Sequence, residues 1–138
     1  MTINEIQDEV IEEFEGFDDW MDKYQMLIDL GNDLEPLDEK YKTEQNLIDG
    51  CQSRVWVQCD YEDGKLVFTA DSDALITKGI IALLIRVLSG HTPQEILDTD
   101  LYFIERIGLK DHLSPTRSNG LLSMVKQIQS YALAYSMK

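Results

Sequence analysis

The N-terminal part of the chain carries apolar residues at steps of three and four, the spacing of one helix face. A first helix is predicted from an N-cap at Thr2 to about Phe14. A second helix follows a cap at Asp18 or Asp19 and ends within residues 31–36. The apolar stripes that indicate them are Ile3, Ile6, Val10, Phe14 and Phe17 in the first helix and Trp20, Tyr24, Leu27, Ile28 and Leu34 in the second.

The middle of the chain alternates between apolar and polar positions, which is the period of a half-buried strand. A polar, aperiodic loop over residues 36–44 leads toward it, and a hairpin turn is predicted over residues 62–65. On this interpretation Cys59 faces the core and is structural. The inward positions are Val55, Val57, Cys59 and Tyr61 on the first strand and Leu66, Phe68 and Ala70 on the second.

The C-terminal half returns to helical spacing. The acceptor side chains of residues 71–73 are of the types that cap helices, so they are expected to open an almost wholly apolar, buried helix from Ala74 to Leu88. A capping box with Pro at the first helical position predicts a short helix over residues 92–97. Another is expected to begin at Asp100 or Leu101 and to end at Gly108, and a last helix opens at residues 114–115.

Composition places the chain among soluble globular proteins. With 43% hydrophobic and 28% charged residues, its 138 residues are expected to form one domain, 1–138. The net charge of −14 repels phosphate backbones, so no nucleic-acid partner is expected. The first residues lack a signal-peptide pattern, and the longest apolar run, Gly79 to Ile85, is far shorter than the roughly 20 residues that span a bilayer. We therefore expect a cytoplasmic protein without membrane association.

The dipeptide Gly50-Cys51 is the candidate for chemistry. It lies where the loop turns into the first strand, and Gly50 permits a tight turn that presents the next side chain. Gln52 and Ser53 add polar groups close to the sulfur, as a reactive thiolate requires. The alternative is that Cys51 is a small apolar residue of the core, as free cysteines usually are. The spacing alone leaves both interpretations open.

Three stretches together resemble a known family. The stretch from Gln45 to Trp56, QNLIDGCQSRVW, resembles the cysteine-containing segment of the SufE family, sulfur acceptors that work with cysteine desulfurases in iron–sulfur cluster assembly. Residues 71–79, DSDALITKG, are similar to the acidic strand-to-helix turn of that family. Residues 113–120, LSPTRSNG, are similar to its Ser-Arg-Ser-x-Gly segment. The likeness extends over nearly the whole chain.

The resemblance implies a fold and an activity. The fold is α+β, a small antiparallel sheet packed against several helices in a single SufE/IscU-like domain. Cys51 becomes the acceptor nucleophile, the donor is a SufS-type cysteine desulfurase, and the sulfur passes to a SufBCD-type cluster-assembly complex. Pyridoxal phosphate belongs to the desulfurase, and no cofactor is expected on this chain. We expect a monomer or a weak homodimer.

The resemblance also suggests supporting residues. Gly50, Gln52 and Ser53 are expected to shape the loop of Cys51, and Asp73 and Arg117 to hold that loop or the partner. Arg117 is a cation in the first turn of a predicted helix, where the dipole disfavours it, and local rules are often broken at functional sites.

Other activities need residues that the sequence does not place near Cys51. A cysteine hydrolase requires a histidine base, yet neither His91 nor His112 carries a signature. An iron–sulfur or zinc scaffold requires ligand spacing that Cys51, Cys59 and these histidines lack. The alternative to the sulfur acceptor is an iron–sulfur or zinc scaffold, or a non-catalytic docking module, of the same pathway.

Overall fold

A computed structural model describes residues 2–48, 54–109, 113 and 115–137, of which residues 115–117 are described by their backbone alone. Within these residues, helices pack against one face of a β-hairpin, which confirms the α+β class. The elements are α1 (Ile3–Glu15), α2 (Trp20–Asp33), a 3-10 turn (Glu39–Tyr41), β1 (Val55–Glu62), β2 (Lys65–Ser72), α3 (Leu75–Leu88), α4 (Pro93–Asp98), α5 (Phe103–Arg106) and α6 (Pro115–Ser136).

Helix α1 is joined to the C-terminal half by a buried amide. Thr2 and Glu5 form the capping box that opens the helix. One turn further on, Gln7 is fully buried; its Nε2 donates to the carbonyl of Asp100 at 3.1 Å, and its Oε1 accepts from the N–H of Phe103 at 3.2 Å. This long-range contact caps the first turn of α5, which is shorter than the helix predicted over residues 100–108.

The hairpin is antiparallel with Val55 opposite Ser72 and Glu62 opposite Lys65. Its turn uses positive φ at Asp63 (51°) and Gly64 (80°), the combination that a two-residue turn between twisted strands needs. The inward face is buried from Val55 to Cys59, as the alternation predicts. Tyr61 departs from that pattern because it lies at the turn end, where it is 53% exposed and stacks on Tyr135 with ring centroids 5.2 Å apart.

Helices α2 and α3 pack through two glycines. A Cβ built on Gly79 would lie 2.6 Å from the carbonyl carbon of Leu27, and one on Gly31 would lie 2.9 Å from the N of Gly79. No side chain fits between the backbones here, so the helices approach closely. The contact fixes α3 as the central, buried helix that its composition predicts, with Ile81 and Leu84 among its fully buried residues.

The start of α3 differs from the sequence prediction. The sequence predicts that residues 71–73 cap the helix, but β2 continues through Asp71 to Ser72, and the N-cap is Ala74, which has no capping side chain. The reason is that both carboxylates bind elsewhere: Asp71 accepts from the N–H of Leu37, and Asp73 accepts from the N–H of Arg54. Among the helices of the described residues, none is both long and apolar enough to cross a membrane.

Candidate functional site

Four of the residues singled out in the sequence, Gly50, Cys51, Gln52 and Ser53, lie outside the described residues. With Asp49 they make up residues 49–53, called the Cys51 segment below. The structure describes both neighbours of this segment, Ile48 before it and Arg54 after it. The residues that hold Ile48 and Arg54 set the positions at which the chain enters and leaves this segment.

The position before the Cys51 segment is held against the free edge of β1. Leu47 forms an antiparallel bridge with Trp56. On either side of that bridge, the N–H of Ile48 donates to the carbonyl of Val55 at 2.8 Å and the N–H of Val57 donates to the carbonyl of Asn46 at 3.0 Å. Residues 46–48 thus pair with the edge of β1 through one bridge and its two flanking hydrogen bonds, and the chain enters the Cys51 segment from a fixed position.

The position after the segment is held by Asp73. Its Oδ1 accepts from the N–H of Arg54 at 3.0 Å, and its N–H donates to the carbonyl of Arg54 at 3.2 Å. Asp73 was predicted to hold the loop of Cys51 or the partner. The structure places it on the residue that follows the Cys51 segment, while its role in the chemistry stays a prediction.

A buried amide, that of Asn46, supports the pairing of residues 46–48 with β1. Its Nδ2 donates to the carbonyl of Tyr41 and to Oε1 of Gln58, each at 2.8 Å. Its Oδ1 accepts from the hydroxyl of Tyr131 at 2.9 Å, and that hydroxyl also lies 3.2 Å from the carbonyl of Val57. Burial raises the pKa of Tyr131, so the hydroxyl stays protonated as a donor. Asn46 connects the residues before Cys51 to β1 and to α6.

Sequence reasoning did not single out Asn46. Its partner Tyr131 lies 85 positions away, and no local pattern marks a buried asparagine. A buried amide that is fully hydrogen-bonded specifies one arrangement of its neighbours, because any shift leaves a polar group unpaired.

A second buried polar group is the carboxylate of Asp71. Trp56 has Leu47 as its neighbour on one side and Asp71, on β2, as its neighbour on the other. Asp71 is 8% exposed and pairs with Trp56 in the β1–β2 register. Its carboxylate accepts from the N–H of Ser72 at 2.8 Å and of Leu37 at 3.4 Å. Lys78 reaches the same carboxylate at 3.4 Å. Burial opposes its ionisation, but these donors and the ammonium outweigh that effect and lower the pKa of Asp71.

Lys42 completes the surroundings of Asp71. Its Nζ lies 3.4 Å from Asp71 Oδ2 and 3.1 Å from Glu39 Oε1, and 5.4 Å from the ring centroid of Trp56. The hydrogen bond to Glu39, followed by the attraction of Asp71, raises the pKa of Lys42. We call Asp71, Lys42, Lys78 and the N–H of Leu37 the Asp71 cluster.

Arg117 is the remaining residue predicted to support Cys51. The residue lies in the first turn of α6, as predicted, but its side chain is not among those described. Its role beside Cys51 stays a prediction.

The second cysteine is unsuited to sulfur chemistry. Cys59 is 6% exposed on the inward face of β1, which confirms its predicted orientation. Burial, and then the charge of Asp60, raises the pKa of this thiol to about 12. Because the thiolate is the nucleophile, Cys59 is unreactive near neutral pH.

His91 lies at the far end of the hairpin. It bridges to Leu66, next to the turn, whereas Arg54 and Asp73 lie beside the Val55–Ser72 pair at the opposite end. At about 3.4 Å per strand residue, the two ends of β2 are roughly 20 Å apart. This position offers no support for a hydrolase in which His91 serves Cys51. His112 is not among the described residues, and within them no group of three His, Cys, Asp or Glu could hold a metal ion.

Comparison with known proteins gives consistent results. The family model described as "SufE: Fe-S metabolism associated domain" matches residues 8–132. A SufE-like protein of Synechocystis sp. is 40% identical over 128 residues, which are 93% of this chain and 80% of that protein. The SufE-like protein 1 of Arabidopsis thaliana, named as chloroplastic/mitochondrial, is 41% identical over 131 residues, which are 94% of this chain and 35% of that protein.

A solved structure shares the fold. The solution structure of a hypothetical protein from Thermus thermophilus matches with a TM-score of 0.79 over 96% of this chain and 97% of that chain. At 21% sequence identity the likeness shows the arrangement of helices and strands alone.

Proposed function

We propose that this chain, which belongs to the SufE family and so has a role in iron–sulfur metabolism, accepts sulfur on the thiol of Cys51. The donor is a SufS-type cysteine desulfurase, which this chain stimulates by removing its sulfur. The recipient is a SufBCD-type cluster-assembly complex. Pyridoxal phosphate acts on the desulfurase, and this chain contributes the thiol and the surface around it.

The contrast between the two cysteines carries this proposal. Cys59 is buried with a pKa of about 12, so it is a structural residue. Cys51 lies in a five-residue connection whose two ends are held by backbone hydrogen bonds from Ile48 and Arg54. A carrier needs a thiol at a defined position that a second protein can reach, and Cys51 is the cysteine left for that role.

The proposed reaction is an exchange between two cysteines. The Cys51 thiolate attacks the outer sulfur of the persulfide on the desulfurase, the S–S bond of the donor breaks, and the donor cysteine leaves as a thiolate. The product is Cys51–S–SH, which still carries the proton of the donor persulfide. One sulfur atom moves and no electrons are gained or lost, so neither an oxidant nor a reductant takes part.

Residues beside Cys51 have proposed roles in this transfer. Gly50, Gln52 and Ser53 shape the segment that carries the thiol. Asp73 holds the backbone that follows it, in agreement with its two contacts to Arg54. Arg117 holds the same segment or contacts the desulfurase.

Intact-protein mass spectrometry without reductant tests the proposal. The protein is incubated with a SufS-type desulfurase and L-cysteine as wild type, Cys51→Ser and Cys59→Ala, with circular dichroism to confirm that each variant is folded. We expect wild type and Cys59→Ala to gain one sulfur atom and Cys51→Ser to gain none.

Two outcomes would overturn the proposal. Sulfur on Cys51→Ser would place the acceptor elsewhere. No added sulfur in any variant, including with a desulfurase from the same genome, would make the chain a non-catalytic docking module of the pathway.

A further inference from the structure

One carboxylate, that of Asp71, binds two lysines in closely matched ways. The Nζ atoms of Lys42 and Lys78 each lie 3.4 Å from Asp71, and their side chains are 23% and 21% exposed. The two residues differ in the part of the chain they belong to. Lys78 is in the second turn of α3, whereas Lys42 belongs to the stretch that leads into Cys51.

The stretch from Leu37 to Ile48 lies along the outward side of the hairpin and is attached at several points. It begins with Leu37, whose N–H donates to Asp71. It ends with Leu47 and Ile48, which pair with Trp56 and Val55. Lys42 is the attachment in the middle, because it contacts Asp71 on β2 and Trp56 on β1.

These contacts form one row across the sheet. Leu47, Trp56 and Asp71 are neighbours in register on three adjacent strand segments. Lys42 lies over the ring of Trp56, in the middle of the row, and is ion-paired to Asp71 at its end. Moving Lys42 would therefore disturb the same row that fixes Leu47, two positions before the Cys51 segment.

We infer that Lys42 is a positioning residue for sulfur acceptance: it holds residues 37–48 against the hairpin and so sets where the chain enters the Cys51 segment. The inference rests on the proposed function. Lys42 itself touches neither sulfur nor donor. Its contribution is orientation, since transfer between two sulfurs depends on their alignment in the docked pair.

The matched lysines give the test. The variants are Lys42→Met and Lys78→Met. Each removes one ammonium group from Asp71 and keeps an apolar side chain of similar length. If the lysines only neutralise Asp71, the two variants should behave alike. If Lys42 positions the chain, only Lys42→Met should change the segment and the reaction, and Lys42→Arg, which keeps the charge and the ring contact, should restore both.

The first readout is hydrogen exchange by mass spectrometry, which does not depend on sulfur transfer. It follows the peptide that contains Asn46, Leu47 and Ile48, whose amides are hydrogen-bonded. We expect Lys42→Met to speed exchange of this peptide about fivefold or more through local opening, and Lys78→Met to leave it within twofold. Equal exchange in the two variants would overturn the inference.

The second readout is the rate of sulfur transfer to Cys51 at increasing desulfurase concentration. We expect Lys42→Met to lower the saturating rate about fivefold while the half-saturating concentration stays within twofold, and Lys78→Met to change neither. A change confined to the half-saturating concentration would make Lys42 a docking residue and would overturn the positioning role. Faster exchange without a change in rate would leave Lys42 as a structural contact only.

Wild type separates this inference from the proposed function. If wild type takes up sulfur on Cys51 and the two lysine variants behave alike, the proposed function stands and the inference fails. If wild type takes up none, the proposed function fails whatever the lysine variants do to hydrogen exchange, and the role of Lys42 in the reaction fails with it.

Discussion

The two faces of the β1–β2 hairpin are built on different principles. The inward face presents Val57, Cys59 and Phe68 to α3 and α6, and each of these is at most 6% exposed. The outward face presents Trp56 and Asp71, on which a lysine from residues 37–48 rests. The inward face excludes water over a continuous apolar area, whereas the outward face is joined by a few directional polar contacts.

This difference divides the work of the hairpin. Apolar burial supplies about 25 cal/mol per Å² with little directional preference, so the inward face should account for most of the stability. Partly exposed ion pairs add little net free energy, but they fix the geometry of the groups they join. We therefore expect substitutions on the inward side to lower the free energy of unfolding most, and substitutions on the outward side to move the chain near Cys51 at small cost in stability.

The largest expected effect comes from disturbing the packing of α2 on α3, the helix that covers the inward face. In Gly79→Ala the new Cβ would overlap the backbone of Leu27, so α2 and α3 would have to move apart. We expect a loss of about 3 kcal/mol in the free energy of unfolding, measured by urea denaturation. Gly16→Ala is the control, because its Cβ would meet only the carbonyl of Glu13 at 3.5 Å and its φ is −71°. A loss below about 1 kcal/mol in Gly79→Ala would show that α2 and α3 are not tightly packed.

A matched pair of valines compares the faces directly. Val57 is fully buried on the inward face of β1, and Val67 is half-buried on the outward face of β2. The substitution Val57→Ala removes two methyl groups and should lower the free energy of unfolding by about 2 kcal/mol through lost burial and a cavity. Val67→Ala should cost less than about 1 kcal/mol. Urea denaturation of both variants measures the difference, and equal losses would mean that the two faces contribute alike.

The inward face was predictable from sequence and the outward face was not, for a physical reason. Alternation along the chain gives Val55, Val57 and Cys59 their orientation, because successive strand residues point to opposite sides. The Asp71 cluster instead joins Asp71 to Lys42, which is 29 positions away, and to Leu37, which is 34 positions away. Nothing local in the sequence specifies such pairs.

Asp71 shows how a local rule can mislead. Its position before a helix is typical of a cap, but two ammonium groups and the N–H of Leu37 compete for the same carboxylate and keep it in β2. For the site, Gly50-Cys51 provides a local signal and the family resemblance adds Asp73. Lys42 carries no signal of either kind, and the resemblance that includes Asn46 assigns it no role, since the partners of both residues are brought together only by the folded sheet.

The smallest expected effect concerns Asp71 on the outward face and depends on pH. The pKa of Asp71 is lowered in the folded protein, so its ionised form stabilises the fold above the unfolded pKa of about 3.9, and this contribution is lost as pH falls through the folded pKa. Asp71→Asn should therefore be less stable than wild type by about 1 kcal/mol at pH 7. The difference should begin to shrink below about pH 4, where the carboxyl of the unfolded chain becomes protonated, and should be lost as the pH falls through the lowered folded pKa. Urea denaturation of both proteins from pH 7 to pH 3 measures it. A difference that is constant or grows toward low pH would contradict the role of the ionised carboxylate, and the outward face would then be held by packing, as the inward face is.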